Sequence, residues 1–245
     1  MRDKTMTGAL VHTIERRLFL RKSLSLGALT LLTGCDAGDE SAVERVLSAM
    51  SRWNDRVQAA LFDGSQLAPT YSESDITDPF PFNAYYSQSR VPQVAEEGFK
   101  LELGGLIGNK QSWSLTDLRS LPQESQITRH ICVEGWSAIG KWGGVRFSDF
   151  LRRIDADLTA KYVGFKCADD YYSSVDMATA LHPQTILALT FRDRTLPAEY
   201  GFPMKLRVPT KLGFKNPKHI MAISVSNTHP GGYWEDQGYN WFSGS

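Results

Sequence analysis

Six short runs rich in β-branched and aromatic residues, each long enough for one strand and no more, limit what this chain can fold into. They are "FKLELGG" (99–105), "SQITRHICV" (125–133), "KYVGFKCA" (161–168), "TILALTF" (185–191), "MKLRVP" (204–209) and "HIMAISVS" (219–226). Helical pieces fall between them. "SLTDLRSL" (114–121) offers Ser114 as a cap, and "RFSDFLRRI" (146–154) puts Phe147, Phe150, Leu151 and Ile154 on one face. Strands and short helices mixed without a strict strand–helix–strand rhythm predict an α+β domain. No G-x-G-x-x-G follows a strand, so a dinucleotide fold has no support. No P-loop, H-E-x-x-H or G-x-S-x-G occurs either.

The N-terminus has a different character. "ERRLFLRKSLSLGALTLLTGC" holds Arg16 and Arg17 as a pair, then Phe19, Leu20 and Arg21, then an apolar run over residues 23–32. Ten residues rise about 15 Å as a helix, half of what a bilayer core needs. The run therefore reads as a signal region and not as a membrane span. The arginine pair predicts export by the twin-arginine route. Leu32, Thr33, Gly34 and Cys35 read as a lipobox, with Cys35 lipidated and tethering the chain to a membrane surface. The expected layout is a signal over 1–34, a helical arm over 35–75 packed on the main domain, and an oxidoreductase domain over 76–245. In the arm, Ser41 and Glu44 form a capping-box pattern, and Val43, Val46, Leu47, Met50, Trp53, Val57 and Leu61 make one helical face ending at Asp63 and Gly64. The chain balances 27 basic against 27 acidic residues, and the part after residue 34 holds 21 against 25. That excludes nucleic acid as a general partner.

With Cys35 taken by lipid, Cys132 and Cys167 are the remaining thiols. Three readings stand side by side: a disulfide, favoured by an oxidising compartment; a pair of inert buried thiols; or Cys132 as a metal ligand. A single thiolate without Cys or His at ligand spacing cannot build a zinc site, so the third reading needs further ligands from a cofactor. "KLRVPTKLGFKNPKH" (205–219) adds Lys205, Arg207, Lys211, Lys215 and Lys218. Alternation puts Lys205 and Arg207 on one strand face and Met204, Leu206 and Val208 on the other. The stretch reads either as a phosphate cradle or as a solvated basic strand and loop.

Several ordered motifs then coincide. "HICVEGWS", "WGGVRFSDFL", "YVGFKCADDYYSS", "ALHPQTILAL", "LPAEYGFPMKLRVPTKLGFKNPKHI" and "GGYWEDQGY" together resemble the sulfite oxidase-type molybdopterin oxidoreductases. The likeness spans about residues 79–238 and is strongest to the small exported bacterial members of the methionine sulfoxide reductase catalytic-subunit type. It implies a mixed β-sheet fold with short helices and a molybdenum–molybdopterin cofactor. Cys132 would supply the protein thiolate, and the pterin dithiolene two more sulfurs. It further implies cofactor contacts from Asn83, Tyr86, Ser87, Cys167, Lys205, Asn216, Pro217 and Lys218. Glu134 would stand near the metal with Trp136, and Asp170 and Tyr172 would line the substrate side.

Some positions depart from the family pattern. Lys205 stands where relatives carry arginine, and Tyr200 stands where they carry His or Asn. The arginine-rich sulfite pocket has no counterpart near Cys132, and no room remains for an immunoglobulin-like dimerisation domain. The expectation is a monomeric periplasmic molybdopterin oxidoreductase. It would exchange an oxygen atom and two electrons with a small or sulfur-containing substrate, served by a redox partner such as a cytochrome or membrane haem protein. Sulfite oxidation, or a metal-free binding lipoprotein keeping the fold, are the alternatives.

Overall fold

The computed structural model describes residues 40–244. The signal, with Arg16, Arg17 and Cys35, lies outside the described residues, as does the side chain of Ser41. The chain forms two compact units, Met1–Arg52 and Trp53–Ser245. The described part of the first is helical. It belongs to α1 (Glu40–Leu61), whose later turns fall in the second unit. No helix among the described residues is long and apolar enough to cross a membrane.

The apolar stripe of α1 forms as the spacing predicts, but Val43, Val46, Leu47, Met50, Trp53 and Leu61 are all exposed. Within the second unit the helix is held by polar groups instead. Asp55 Oδ1 accepts from the Phe242 N–H at 2.8 Å, and Gln58 Oε1 from the Gly244 N–H at 3.3 Å.

The second unit is α+β, as expected. A four-stranded sheet runs in the order β1 (Glu102–Gly105), β9 (Ile220–Ser226), β4 (Tyr162–Cys167), β5 (Tyr172–Asp176). β1 and β9 are parallel and the other pairs antiparallel. A five-stranded antiparallel sheet runs β2 (Gln123–Ile131), β3 (Ser137–Arg146), β6 (Ile186–Phe191), β7 (Arg194–Thr195), with β8 (Lys205–Arg207) also paired to β6. The short helices are α2 (Leu115–Ser120), α3 (Phe147–Arg153) and α4 (Met177–Leu181). Ser114 caps α2 through the Asp117 N–H, with Asp117 reaching back to the Ser114 N–H. Phe147, Phe150, Leu151 and Ile154 are fully buried at α3.

β6 is the central strand and is buried on both faces, which explains its unbroken apolar run. Leu187 and Leu189 enter the main core with Val163, Phe165, Ile223 and the α3 side chains. Ile186, Ala188 and Phe191 enter a second cluster with Phe80 and Trp142. β8 follows the same alternation. Leu206 pairs with Leu187 over the main core, while Lys205 and Arg207 pair with Ala188 and Ile186 on the second face. Met204 and Val208 join Leu206 in the main core. The expected division of this strand is correct, and its cations are buried, not solvated.

Candidate active site

The β2–β3 hairpin builds one end of the site. Its strands pair as far as Ile131 and Ser137, and residues 132–136 turn between them. The Cys132 N–H donates to Trp136 O at 2.9 Å and the Gly135 N–H to Cys132 O at 3.1 Å. Gly135 takes φ 92°, a conformation L side chains rarely adopt. Cys132 thus sits on the turn and not within the strand. It is buried, and among the described residues neither it nor Cys167 is in a disulfide. Asn83 Nδ2 donates to Cys132 Sγ at 3.3 Å, and Glu134 Oε2 lies 3.7 Å from the sulfur. Trp136 Nε1 donates to the same carboxylate oxygen at 3.0 Å, which fixes the exposed Glu134 beside the thiol. Burial, more than the carboxylate, raises the Cys132 thiol.

A cavity lies beside this turn, lined by Asn83, His130, Lys205, Gly213, Asn216 and Lys218 together with Tyr85, Asp169, Tyr171 and Trp234. Its floor is cationic. Lys205 is 5% exposed and Arg207 0%, and neither they nor Lys218 is ion-paired among the described residues. Among the described residues Lys205 Nζ makes no hydrogen bond, and it stands 4.8 Å from the centre of the Trp142 ring. Among the described residues Lys218 Nζ donates only to backbone, to Asn83 O at 2.7 Å and Glu199 O at 3.1 Å. Burial, then the neighbouring Lys218 and Arg207 charges, push Lys205 well below the usual lysine range. Burial brings Lys218 down to about 8, against the pull of Asp169 and Glu199. Buried charges are normally paired, so this floor has the chemistry of an anion site.

The rim is aromatic and acidic. Tyr85 stacks on Tyr233 at 4.7 Å and donates its hydroxyl to Asp169 O. The Tyr86 hydroxyl lies 2.9 Å from Asp169 Oδ2 and 3.3 Å from His219 Nε2. His219 Nδ1 donates to Phe202 O at 2.7 Å, which leaves Nε2 facing the tyrosine.

The sequence-predicted residues distribute unevenly. Asn83, Lys205, Asn216, Pro217 and Lys218 line one cavity. Cys132 and Glu134 stand at its Asn83 end. Tyr86 joins through Asp169. Cys167 is buried at the end of β4, where burial, then Asp169, raises its thiol. Ser87 is exposed and its hydroxyl pairs with Ser89 at 3.0 Å, away from the lining. Asp170 and Tyr172 are not brought to the cavity. Asp170 is exposed at a turn with φ 62°, and the Tyr172 hydroxyl donates to Asp236 Oδ2 at 2.6 Å. Their neighbours Asp169 and Tyr171 line it instead. His130 and Trp234 were also missed, since a lone buried histidine or tryptophan carries no sequence signal of its own. Tyr200, the departure noted above, packs on Phe191 at 4.7 Å and donates to Phe80 O at 2.8 Å.

Comparison with known proteins gives a consistent answer. The family described as "Oxidoreductase molybdopterin binding domain" matches residues 88–234. That span includes Cys132, Lys205 and Lys218, and begins just past Asn83, Tyr86 and Ser87. A relative from Azospira oryzae, named "Putative protein-methionine-sulfoxide reductase subunit YedZ1", is 63% identical over 97% of this chain and 91% of its own. A protein-methionine-sulfoxide reductase catalytic subunit MsrP of Xanthomonas axonopodis pv. citri is 31% identical over 66% of this chain and 57% of its own. Among solved structures, the sulfane dehydrogenase SoxCD of Paracoccus pantotrophus matches with a TM-score of 0.53 and 17% identity, over 56% of this chain and 40% of that one. This last likeness speaks to the fold alone.

Proposed function

This chain belongs to the oxidoreductase molybdopterin binding domain family, a molybdopterin oxidoreductase with the sulfite oxidase-type fold, and from that premise we propose that it reduces a sulfoxide by oxygen-atom transfer with Cys132 as the protein ligand to molybdenum. One observation carries the proposal. A buried, unbridged thiol is held by Asn83, and Asn83 lines a cavity floored by cations without a carboxylate partner among the described residues.

The residues present fit the implied cofactor. Among the described residues no three His, Cys, Asp or Glu side chains converge on a possible metal position. One protein thiolate with the remaining ligands supplied by a pterin dithiolene suits that donor set. Lys205 and Lys218 would hold the pterin phosphate as charge-assisted donors. Asn83 and Tyr86 would flank the pterin, with Cys167 nearby. The group, when bound, supplies the two-electron oxygen-atom exchange.

The chain's own part is to bind, orient and move protons. Asn83 Nδ2 steadies the sulfur in its thiolate form. Reduction of a sulfoxide consumes two electrons and two protons, breaks the S–O bond and releases the thioether and water. Glu134, held by Trp136 yet exposed, is placed to carry protons at Oε2 between solvent and the reacting oxygen.

The names of the two relatives support a sulfoxide substrate over sulfite and a role as one subunit of an assembly; the two electrons the reaction consumes call for a redox partner. Export by the twin-arginine signal, work in the periplasm and a lipid tether at Cys35 complete the reading, with the signal, arm and domain layout given above. The test is protein purified from a molybdenum-replete host and assayed with a reduced dye. We expect molybdenum, pterin and dye-linked reduction of methionine sulfoxide. Protein without metal would be a binding lipoprotein, and turnover of sulfite alone would reverse the substrate assignment.

A further inference from the structure

We infer that His130 is a further cofactor-holding residue, whose Nε2–H donates a hydrogen bond to the anionic, phosphate-bearing end of bound molybdopterin. The inference rests on the molybdopterin reading above. His130 precedes Cys132 by two residues, and its side chain shares a strand face with Thr128. It is 2% exposed and lines the same cavity as Lys205 and Lys218.

The ring makes no hydrogen bond among the described residues. Its flanks are aromatic, with Phe80 at 6.2 Å and Trp136 at 5.9 Å between ring centres. The two nitrogens differ. Nδ1 is sealed and unpartnered. Nε2 points toward Gly213, another wall of the cavity, where an added Cβ would stand 2.6 Å from it. A sealed Nδ1 without a partner among the described residues is costly, whereas Nε2 opens on the cavity. A proton at Nδ1 would face only apolar rings, whereas one at Nε2 has the cavity before it. Lys205 and Lys218 line the same cavity and give it the charge to hold an anion. Glycine at 213 leaves the approach to Nε2 open.

The experiment compares His130→Leu and His130→Gln with the wild type, all purified from a molybdenum-replete host. Pterin is read by its oxidised fluorescence and molybdenum by elemental analysis. His130→Leu should retain roughly tenfold less cofactor, as for loss of one hydrogen bond to a charged group. His130→Gln, which can place an N–H near the same point, should recover most of it. Full loading of His130→Leu overturns the inference while leaving the molybdopterin reading intact. Equal depletion of both variants also overturns it, because the ring's shape and not its donor would matter. A wild type without pterin overturns the molybdopterin reading, and the inference falls with it. If His130→Leu does not fold, nitrogen-15 histidine spectra of wild-type protein decide instead. An Nε2–H tautomer whose resonance shifts on cofactor loading supports the role, and an unmoved resonance overturns it.

Discussion

The side-chain oxygen of Asn216 is held from two sides, by Arg207 Nη1 at 2.9 Å and by the Val208 N–H at 2.8 Å. Its amide nitrogen donates to Leu212 O at 3.0 Å. Arg207 in turn donates from Nη2 to Thr128 Oγ1 at 3.1 Å and to Arg129 O at 2.5 Å. One guanidinium thereby ties β8, β2 and the loop carrying Pro217 and Lys218. Asn216 serves the cavity chiefly by fixing this loop.

Asn216→Ala should therefore act on both loop and fold. It strips acceptors from a buried Arg207 and a buried N–H, which costs about 2–3 kcal/mol. An unfolding free energy from urea titration lowered by that amount, with depleted pterin, is the expected outcome.

Lys205→Met separates stability from binding. It removes a buried cation without an ion-pair partner among the described residues and replaces it with an apolar chain of similar length. The apoprotein should become more stable, while cofactor content falls roughly ten- to a hundredfold, as for loss of one charge-assisted contact. Lys218→Ala should also purify depleted, since it takes away the second donor. Thermal melts of cofactor-free protein, with pterin assays, check both.

Apoprotein stability should rise with pH between about 8 and 10. Burial lowers Lys218 to about 8 and Lys211 to about 7, and it lowers Lys205 as well. The unfolded chain, with ordinary lysines near 10.4, then binds more protons than the folded one, and stability increases with pH where that holds. A bound phosphate restores the charge on Lys205 and Lys218. The loaded protein should show a shallower rise, and cofactor affinity should fall as pH passes 8. Denaturation midpoints of both forms across this range give the slopes.

Parts of this were legible in the sequence because periodicity alone decides them. The alternation in β8, the buried face of α3 and the Ser114 cap follow directly from residue spacing. β3 was not legible as a strand. "SAIGKWGGVR" is glycine-rich, yet Gly143 and Gly144 are there because β6 comes too close for a side chain. A Cβ on Gly144 would meet Leu187 O at 1.9 Å, and one on Gly143 would meet Thr190 Oγ1 at 2.4 Å. The residues lining the cavity differ from the expected Asp170 and Tyr172 by one position each. In "ADDYY" the left-handed turn at Asp170 decides which Asp and which Tyr face inward, and a slip of one reverses faces. The anion site was visible as a basic stretch, but its force comes from the burial of Lys205 and Arg207 and the half-burial of Lys218 without an ion-pair partner among the described residues, while Lys211 and Lys215 pair with Asp176 and Glu235; only the fold reveals this division.

Glu134→Gln should lower sulfoxide turnover on the order of a hundredfold, the usual scale for a lost proton carrier, with molybdenum and pterin unchanged. The glutamine can still accept from Trp136 Nε1, so the hairpin turn should hold its shape. Dye-linked rates with methionine sulfoxide, set beside molybdenum and pterin content, check this.

The central claim is that Cys132 Sγ is a ligand to molybdenum. Molybdenum X-ray absorption of wild-type protein and of Cys132→Ser tests it most directly. The account predicts metal and pterin in both, one fewer sulfur neighbour in the variant, and no oxygen-atom transfer by it. An unchanged sulfur shell, or full activity of the serine variant, would contradict it.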